Sequence, residues 1–523
     1  MPRLRLLLAA GSNGSAQLGI AHRHDVHTFT PRLWRAGESS ASWGTIHDLS
    51  SGANHALLLA SAADDDQRVK QVWVTGSNEY GQLGPQFPNG IASDTWTRLD
   101  LDVLLASVGL GRDQDVAALV VGEPIAIAAS WTTSFIVLSR TTAAGRRLSD
   151  IVLSFGTHDF GELGCGSERD HAAAAAESAT VVRRVRIVRL PGWDDGQSGV
   201  PDPQTTWLVQ HLAVSQRHMV CVCSCWTSRG GRQRVFGWGA ARHGQLSVES
   251  STQRSATASP SSSSSSSSSR PPRRPPAPSN PARKSTRTRL QPKPSTSYPS
   301  HHPSPVPLDL DLSPAIPSSS SSPSPEITHV SCGTAHTVFL LSNGTLIVLG
   351  TNTKNQLDVP SSSPTLSVRA VGCTWNGTVG VSSDGRGQVE VWSTGSNTHG
   401  QLGRRGGGGG SDTLTPSVHI PALDPSQRGT LRKLVCGSEH VLLLVDLPSE
   451  KGRLGQTLLY GWGWNEHGNL ALGTTTDEDQ WTPVCLPVDG PGREEGAQVV
   501  DVWAGCGTSW ALVEVRDEEA GST

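Results

Sequence analysis

Two patterns of apolar and polar positions take turns along almost the whole chain. In the first, an apolar run ends at a glycine and passes through a polar turn that closes on Gly-Gln-Leu-Gly or a variant of it. It occurs as LLLAAGSNGSAQLG (6–19), VWVTGSNEYGQLG (72–84), IVLSFGTHDFGELG (151–164), RVFGWGAARHGQLS (234–247), LIVLGTNTKNQLD (346–358), VEVWSTGSNTHGQLG (389–403) and LLYGWGWNEHGNLALG (458–473). In the second, a glycine or small residue stands three positions ahead of a histidine-like position and an apolar run follows. Its copies are LSSGANHALLL (49–59), IAASWTTSFIVL (127–138), LAVSQRHMVCV (212–222), VSCGTAHTVFL (330–340), VGCTWNGTVGV (371–381), LVCGSEHVLLL (434–444) and VWAGCGTSWALV (502–513). Seven copies of each alternate strictly, and short apolar runs bounded by glycine and polar turns predict β-strands.

Each signature has a physical reading. The glycine after the first run allows positive φ or a close backbone approach, and the leucine of Gln-Leu-Gly is expected to point inward as a packing plug. In the second, Gly52, Gly333, Gly437 and Gly507 permit a tight turn into the strand. His55, His218, His336 and His440 are expected to bond to backbone, and Thr133, Gly377 and Trp510 are read as their replacements elsewhere. Asn343-Gly344 and Asp384-Gly385 predict tight hairpins. A unit of four short strands cannot bury both faces of its sheet alone, so neighbouring units must stack and the ends must be shielded by ring closure. The chain opens on a first signature and ends on a second, so the strand Leu4–Ala9 is expected to complete a sheet with the strands of Val499–Val515.

The two signatures resemble the repeats of the regulator of chromosome condensation family. The resemblance spans residues 3–515 outside one insertion and implies an all-β, seven-bladed propeller. The opening GSNGSAQLGIAHRHDV and the Ser-Trp and Thr-Trp variants are most similar to the fungal alpha-tubulin suppressor, or killer-toxin-insensitivity, branch. That branch implies a non-catalytic adaptor that binds a small zinc- or iron-binding electron carrier in support of tRNA wobble-uridine modification and diphthamide synthesis. The alternatives are a guanine-nucleotide exchange factor for a Ran-like small GTPase and a chromatin- or tubulin-linked scaffold.

Composition agrees with many turns: 56 Gly, 34 Pro and 16 Trp against 2 Met, 3 Tyr and 7 Phe. The organisation expected is propeller over 1–249, a disordered Ser/Pro/Arg-rich insertion over 250–325, propeller again over 326–516, and a flexible tail over 517–523. The insertion has almost no large apolar residues with which to offset chain entropy. Residues 250–326 carry nine Lys/Arg against three Asp/Glu, whereas the whole chain has a net charge of −3. The rest is therefore acidic, which disfavours direct nucleic-acid binding by the ring. Arg273, Arg274, Arg283, Lys284, Arg287 and Arg289 form a basic cluster, read either as a solvated linker or as a nuclear-import or nucleic-acid patch. Nine cysteines, an odd number without a secretory signal, and the absence of a long apolar run predict a soluble protein of a reducing compartment, cytoplasmic, nuclear or both.

No catalytic or metal-binding constellation stands out, and no cofactor is expected. Cys221, Cys223 and Cys225 alternate along one strand without the spacing of a zinc knuckle, which makes them core residues. The two variable residues inside each second signature carry more information. In the chromosome-condensation regulator such positions help contact Ran with acidic and histidine side chains, so these turns imply one binding rim. They are read here as Ala53-Asn54, Trp131-Thr132, Gln216-Arg217, Thr334-Ala335, Trp375-Asn376, Ser438-Glu439 and Thr508-Ser509. Trp131, Gln216, Arg217, Trp375, Asn376 and Glu439 are the partner-binding candidates. Scarcity of carboxylates argues against exchange on Ran, and the two tryptophans are either interface anchors or inter-blade packing, as Trp73, Trp392 and Trp462 are expected to be.

Overall fold

A computed structural model describes residues 3–516, apart from 32–42, 63–68, 111–118, 167–184, 192–205, 228–229, 248–297, 313–323, 361–365, 405–416, 449–455, 485–496 and a few single positions. Its strands form seven antiparallel sheets, the blades of a propeller. Blade 1 holds Trp43–Ser51, His55–Ala62, Lys70–Gly76 and Ser93–Arg98; blade 2 holds Leu119–Ala129, Thr133–Thr142, Arg147–Gly156 and Arg186–Val188. Blade 3 holds Thr206–Val214, His218–Thr227, Gly230–Ala240 and His301–Pro307, and blade 4 has three strands among the described residues, Ile327–Cys332, His336–Leu341 and Leu346–Gly350. Blade 5 holds Leu366–Thr374, Gly377–Asp384, Val389–Gly395 and Ser417–Val418; blade 6 holds Thr430–Cys436, His440–Asp446, Thr457–Gly463 and Glu478–Pro483. Blade 7 mixes the two ends of the described chain: Ala497–Ala504 and Thr508–Arg516 pair with Arg3–Gly11, and Val26–Pro31 lies outermost. The first strand of each blade contacts that of the next, and Ala497–Ala504 meets Trp43–Ser51, which closes the ring.

Burial explains why the second strands read as unbroken apolar runs. In His55–Ala62, Leu57 and Leu59 enter the core shared with blade 2, while Leu58 and Ala60 enter the core shared with blade 7. Both faces of every blade are covered, so period-two alternation distributes side chains between two cores instead of between core and water. Cys221, Cys223 and Cys225 lie in the core between blades 2 and 3, and Trp73, Trp392 and Trp462 lie in three other inter-blade cores.

The signature glycine has one reason in all seven blades. At Gly11, Gly76, Gly156, Gly239, Gly350, Gly395 and Gly463, φ lies between 89° and 128°, and a Cβ would stand 2.2–2.5 Å from a carbonyl oxygen of the second-signature turn. The residue after each glycine donates its N–H to that same carbonyl, for example Ser77 to Asn54 at 2.8 Å and Trp464 to Glu439 at 2.9 Å. The two signatures are therefore the two halves of one turn assembly, on one rim.

The buried histidines bond differently from expectation: Nε2 reaches a hydroxyl of the next blade. His55 meets Ser134 at 2.8 Å, His218 meets Thr337 at 3.0 Å, His336 meets Thr378 at 3.3 Å and His440 meets Ser509 at 3.0 Å. Each hydroxyl spends its proton on a turn carbonyl of the preceding blade, of Gln82, Gln245, Gln356 and Asn469 at 2.6–3.0 Å. It must therefore accept from Nε2–H, which fixes the neutral tautomer. Where blades 3 and 6 begin their second strands with Met219 and Val441 after the histidine position, a tryptophan replaces the relay. Trp238 Nε1 donates to Glu162 O at 2.8 Å, and Trp462 Nε1 to Gln401 O at 3.0 Å. Histidine thus occupies blades 1, 3, 4 and 6 and is absent from 2, 5 and 7, a pattern of two similar three-blade sets plus the closing blade.

One boundary and one position differ from the expectation. Residues 301–307, assigned to the insertion, form the outer strand of blade 3, with His301 opposite Ala240 and Val306 opposite Gly237. An outermost strand needs only one hydrogen-bonding edge, so Pro303, Pro305 and Pro307 are tolerated. The basic cluster and the tail 517–523 lie outside the described residues. In blade 7 the residue at the histidine position is Thr508, opposite Gly11, not Trp510. The variable rim pair there is Cys506-Gly507.

Candidate functional site: the turn rim

The rim is built from the seven second-signature turns and the glycine turns bonded to them. Backbone hydrogen bonds link turns of adjacent blades: Ala53 N to Trp131 O at 3.0 Å, Thr334 N to Trp375 O at 2.8 Å, Trp375 N to Ser438 O at 2.6 Å and Ser438 N to Gly505 O at 3.1 Å. These hold the rim residues at fixed positions before any partner arrives.

Trp131 and Trp375 meet each other. Their ring centroids are 5.8 Å apart with planes inclined at 42°, so indoles from blades 2 and 5 meet across the ring of blades. Trp131 remains 39% exposed and Trp375 is half-buried. Neither packs between adjacent blades as the buried tryptophans do.

Glu439 is not a free acidic contact. It is 7% exposed, and its oxygens accept from Asn376 Nδ2 at 3.0 Å and Gln401 Nε2 at 2.8 Å. Burial raises its pKa, against the pull of those two hydrogen bonds. Glu439 and Asn376 therefore clasp blades 5 and 6. Gln216 is half-buried and Arg217 is exposed on blade 3, with the Arg217 guanidinium carbon 4.0 Å from the centre of the Phe160 ring. Close by, Glu162 is buried and accepts the Phe160 N–H at 2.7 Å. Burial lifts its pKa, and the Arg217 charge opposes that lift.

The turn tips outside this circle escaped sequence reading. His399 Nδ1 contacts Asp477 Oδ2 at 2.9 Å, and His467 Nδ1 contacts Asp25 Oδ2 at 2.6 Å, each histidine reaching the following blade. Trp464 lies between them, 6.2 Å from the His399 ring and 5.1 Å from the His467 ring. The recurrence of His two positions before Gln401 and Asn469 was the available signal. Among the described residues no group of three or more His, Cys, Asp or Glu could hold a metal ion, and no helix is long and apolar enough to cross a membrane.

Residues 458–512 and 327–356 match the Regulator of chromosome condensation (RCC1) repeat. An RCC1 repeat-containing protein of Schizosaccharomyces pombe is 27% identical over 241 residues, 46% of this chain and 50% of that protein. The bovine secretion-regulating guanine nucleotide exchange factor is 30% identical over 180 residues, 30% of this chain and 35% of that protein. The chain thus spans half or less of these relatives' lengths. The structure of Prp20p from Saccharomyces cerevisiae, described with its binding to Gsp1p and histones, superposes with a TM-score of 0.57 over 99% of this chain and 93% of that one at 15% identity. The same yeast protein bound to Kap60 gives 0.56 over 99% and 90%, also at 15%. These relatives overturn the expectation of an electron-carrier partner in tRNA modification: what they are named for is nucleotide exchange and Gsp1p binding. The expectation had rested on a short N-terminal stretch, 9–31, whose Gly-Ser-Asn turn recurs in blades 1 and 5. The chain is an all-β, seven-bladed propeller of the regulator of chromosome condensation type, built from RCC1 repeats.

Proposed function

We propose that this propeller is a guanine-nucleotide exchange factor for a Ran-like small GTPase, and that it docks the GTPase on the turn rim. The observation that carries the reading is the kinship with a named exchange factor and, in fold, with the Gsp1p-binding Prp20p. The rim suits such a partner: a pre-ordered ring of turns with an exposed indole at its centre and an arginine stacked on a phenylalanine, the residue types that dominate protein interfaces. An exchange factor acts by binding the nucleotide-free GTPase more tightly than the loaded one, which needs a rigid surface and no catalytic group of its own. Trp131, Gln216, Arg217, Trp375 and Asn376 are the proposed contacts, with Glu439 positioning Asn376. A nuclear-associated location follows from the Kap60 complex of Prp20p together with the basic cluster 273–289. Membership of the fungal alpha-tubulin suppressor branch is a finer assignment, supported mainly by residues 9–31 together with the Ser-Trp and Thr-Trp variants.

The test is release of a fluorescent GDP analogue from purified Ran and from a panel of other small GTPases. Stimulation of one of them by catalytic amounts of the chain is the expected result. Rates equal to spontaneous release across the panel overturn the reading.

A further inference from the structure

The seven rim positions whose carbonyls accept these turn N–H groups are Asn54, Thr132, Arg217, Ala335, Asn376, Glu439 and Gly507, and two of them are charged. These two occupy matching places, on blades 3 and 6, each following a blade that lacks the histidine and carries a rim tryptophan. Their states are opposite. Glu439 is buried and both its oxygens are engaged. Arg217 is exposed, and among the described residues its guanidinium makes no hydrogen bond. The turn residues they face differ. On blade 5 Gln401 accepts the His399 N–H and donates its amide to Glu439, whereas in the equivalent place on blade 2 stands Glu162, whose Oε2 accepts the Phe160 N–H at 2.7 Å. The guanidinium stacks on the Phe160 ring instead, 4.0 Å from its centre. A planar cation held on an aromatic face keeps its N–H edge available and gives up little rotamer freedom on binding.

We infer that Arg217 is the charge by which the rim selects its partner, and that the partner presents a carboxylate to it while an apolar residue covers Trp131 on the neighbouring blade. The inference rests on the exchange-factor reading and adds the chemistry of the docking surface. A carboxylate is favoured because it accepts two parallel N–H bonds from the fork of a guanidinium, a match that a neutral acceptor lacks. Phe160 is a positioning residue: its ring carries the cation, 4.0 Å from the guanidinium carbon.

The experiment measures exchange on Ran loaded with a fluorescent GDP analogue, as a function of salt. Arg217→Glu should lower kcat/KM at least tenfold and flatten its salt dependence. Arg217→Lys should retain part of the rate, since a point charge cannot form the paired bond. Arg232→Glu, an exposed cation at the opposite end of the same blade, should change the rate less than threefold. Replacing the facing carboxylate on Ran by arginine should restore the Arg217→Glu variant. If the unaltered chain stimulates release and Arg217→Glu does so equally, the inference fails and the exchange reading stands. If the unaltered chain stimulates release from neither Ran nor any other GTPase of the panel, both fall. Melting temperatures within a degree or so of the parent separate these outcomes from misfolding, and Arg217→Gln supplies a second, uncharged variant should the glutamate disturb Glu162.

Discussion

Trp131 and Trp375 belong to blades three apart in the ring, yet their indoles touch, 5.8 Å between centroids. Aromatic pairs of this kind contribute about 0.5–1.5 kcal/mol beyond their buried area. A double-mutant cycle on Trp131→Ala and Trp375→Ala, read by denaturant unfolding, should therefore show coupling of that size. Additive losses would mean that the two rings part in solution.

Buried tryptophans behave differently. Trp462→Phe keeps most of the volume but leaves the Gln401 carbonyl without its donor, so a loss of about 1–3 kcal/mol is expected from an orphaned buried acceptor. The same change at exposed Trp131 should cost less than about 1 kcal/mol. Chemical denaturation of the two variants side by side checks the contrast.

Acid should loosen the ring. Burial lowers the pKa of His55 and His218 to about 3 and of His336 and His440 to about 4. The unfolded chain, with histidines near 6.5, takes up protons first. Stability is thus complete above about pH 6.5 and falls as pH drops below it, by up to about 1.4 kcal/mol per ring for each unit. His440→Gln should remove about a quarter of that slope in unfolding curves between pH 7 and 5.

Asp48 has the opposite sign. Burial raises its pKa to about 6, so its ionised form costs stability above that pH and the penalty fades as pH falls from 6 toward 4. Asp48→Asn keeps an acceptor for the Leu49 N–H and should stabilise the protein at pH 7.5 by about 1–2 kcal/mol. An unchanged unfolding midpoint would show that Lys433 and Trp503 compensate the charge more fully than burial penalises it.

Much of the architecture was legible because the repeat carries its own chemistry. Seven glycines at positive φ cannot be replaced cheaply, and seven apolar runs with both faces buried leave a plain pattern. The rim was read less well. Glu439 looks like an exposed acid in sequence, because its partners Asn376 and Gln401 lie on another blade, 63 and 38 residues away. The contact of Trp131 with Trp375 is set by ring diameter, a quantity no local pattern encodes. The strand 301–307 was hidden by its prolines, and Thr508 by a neighbouring tryptophan two places on.

The mixed sheet of blade 7 has a consequence for the order of folding. Arg3 pairs with Arg516 and Gly11 with Thr508, so these contacts have the greatest sequence separation among the described residues. Six blades offer hairpins that form from neighbours in the chain, whereas the seventh must wait until residues 508–516 have been made. Contacts of such high order are made late and slowly. If they are absent from the transition state, they will act chiefly on the lifetime of the native ring: weakening them should leave the refolding rate almost unchanged and speed unfolding. Until they form, the nascent chain carries two open sheet edges, one at each end of an incomplete circle, and the interval before closure is when it is most prone to pair with another copy.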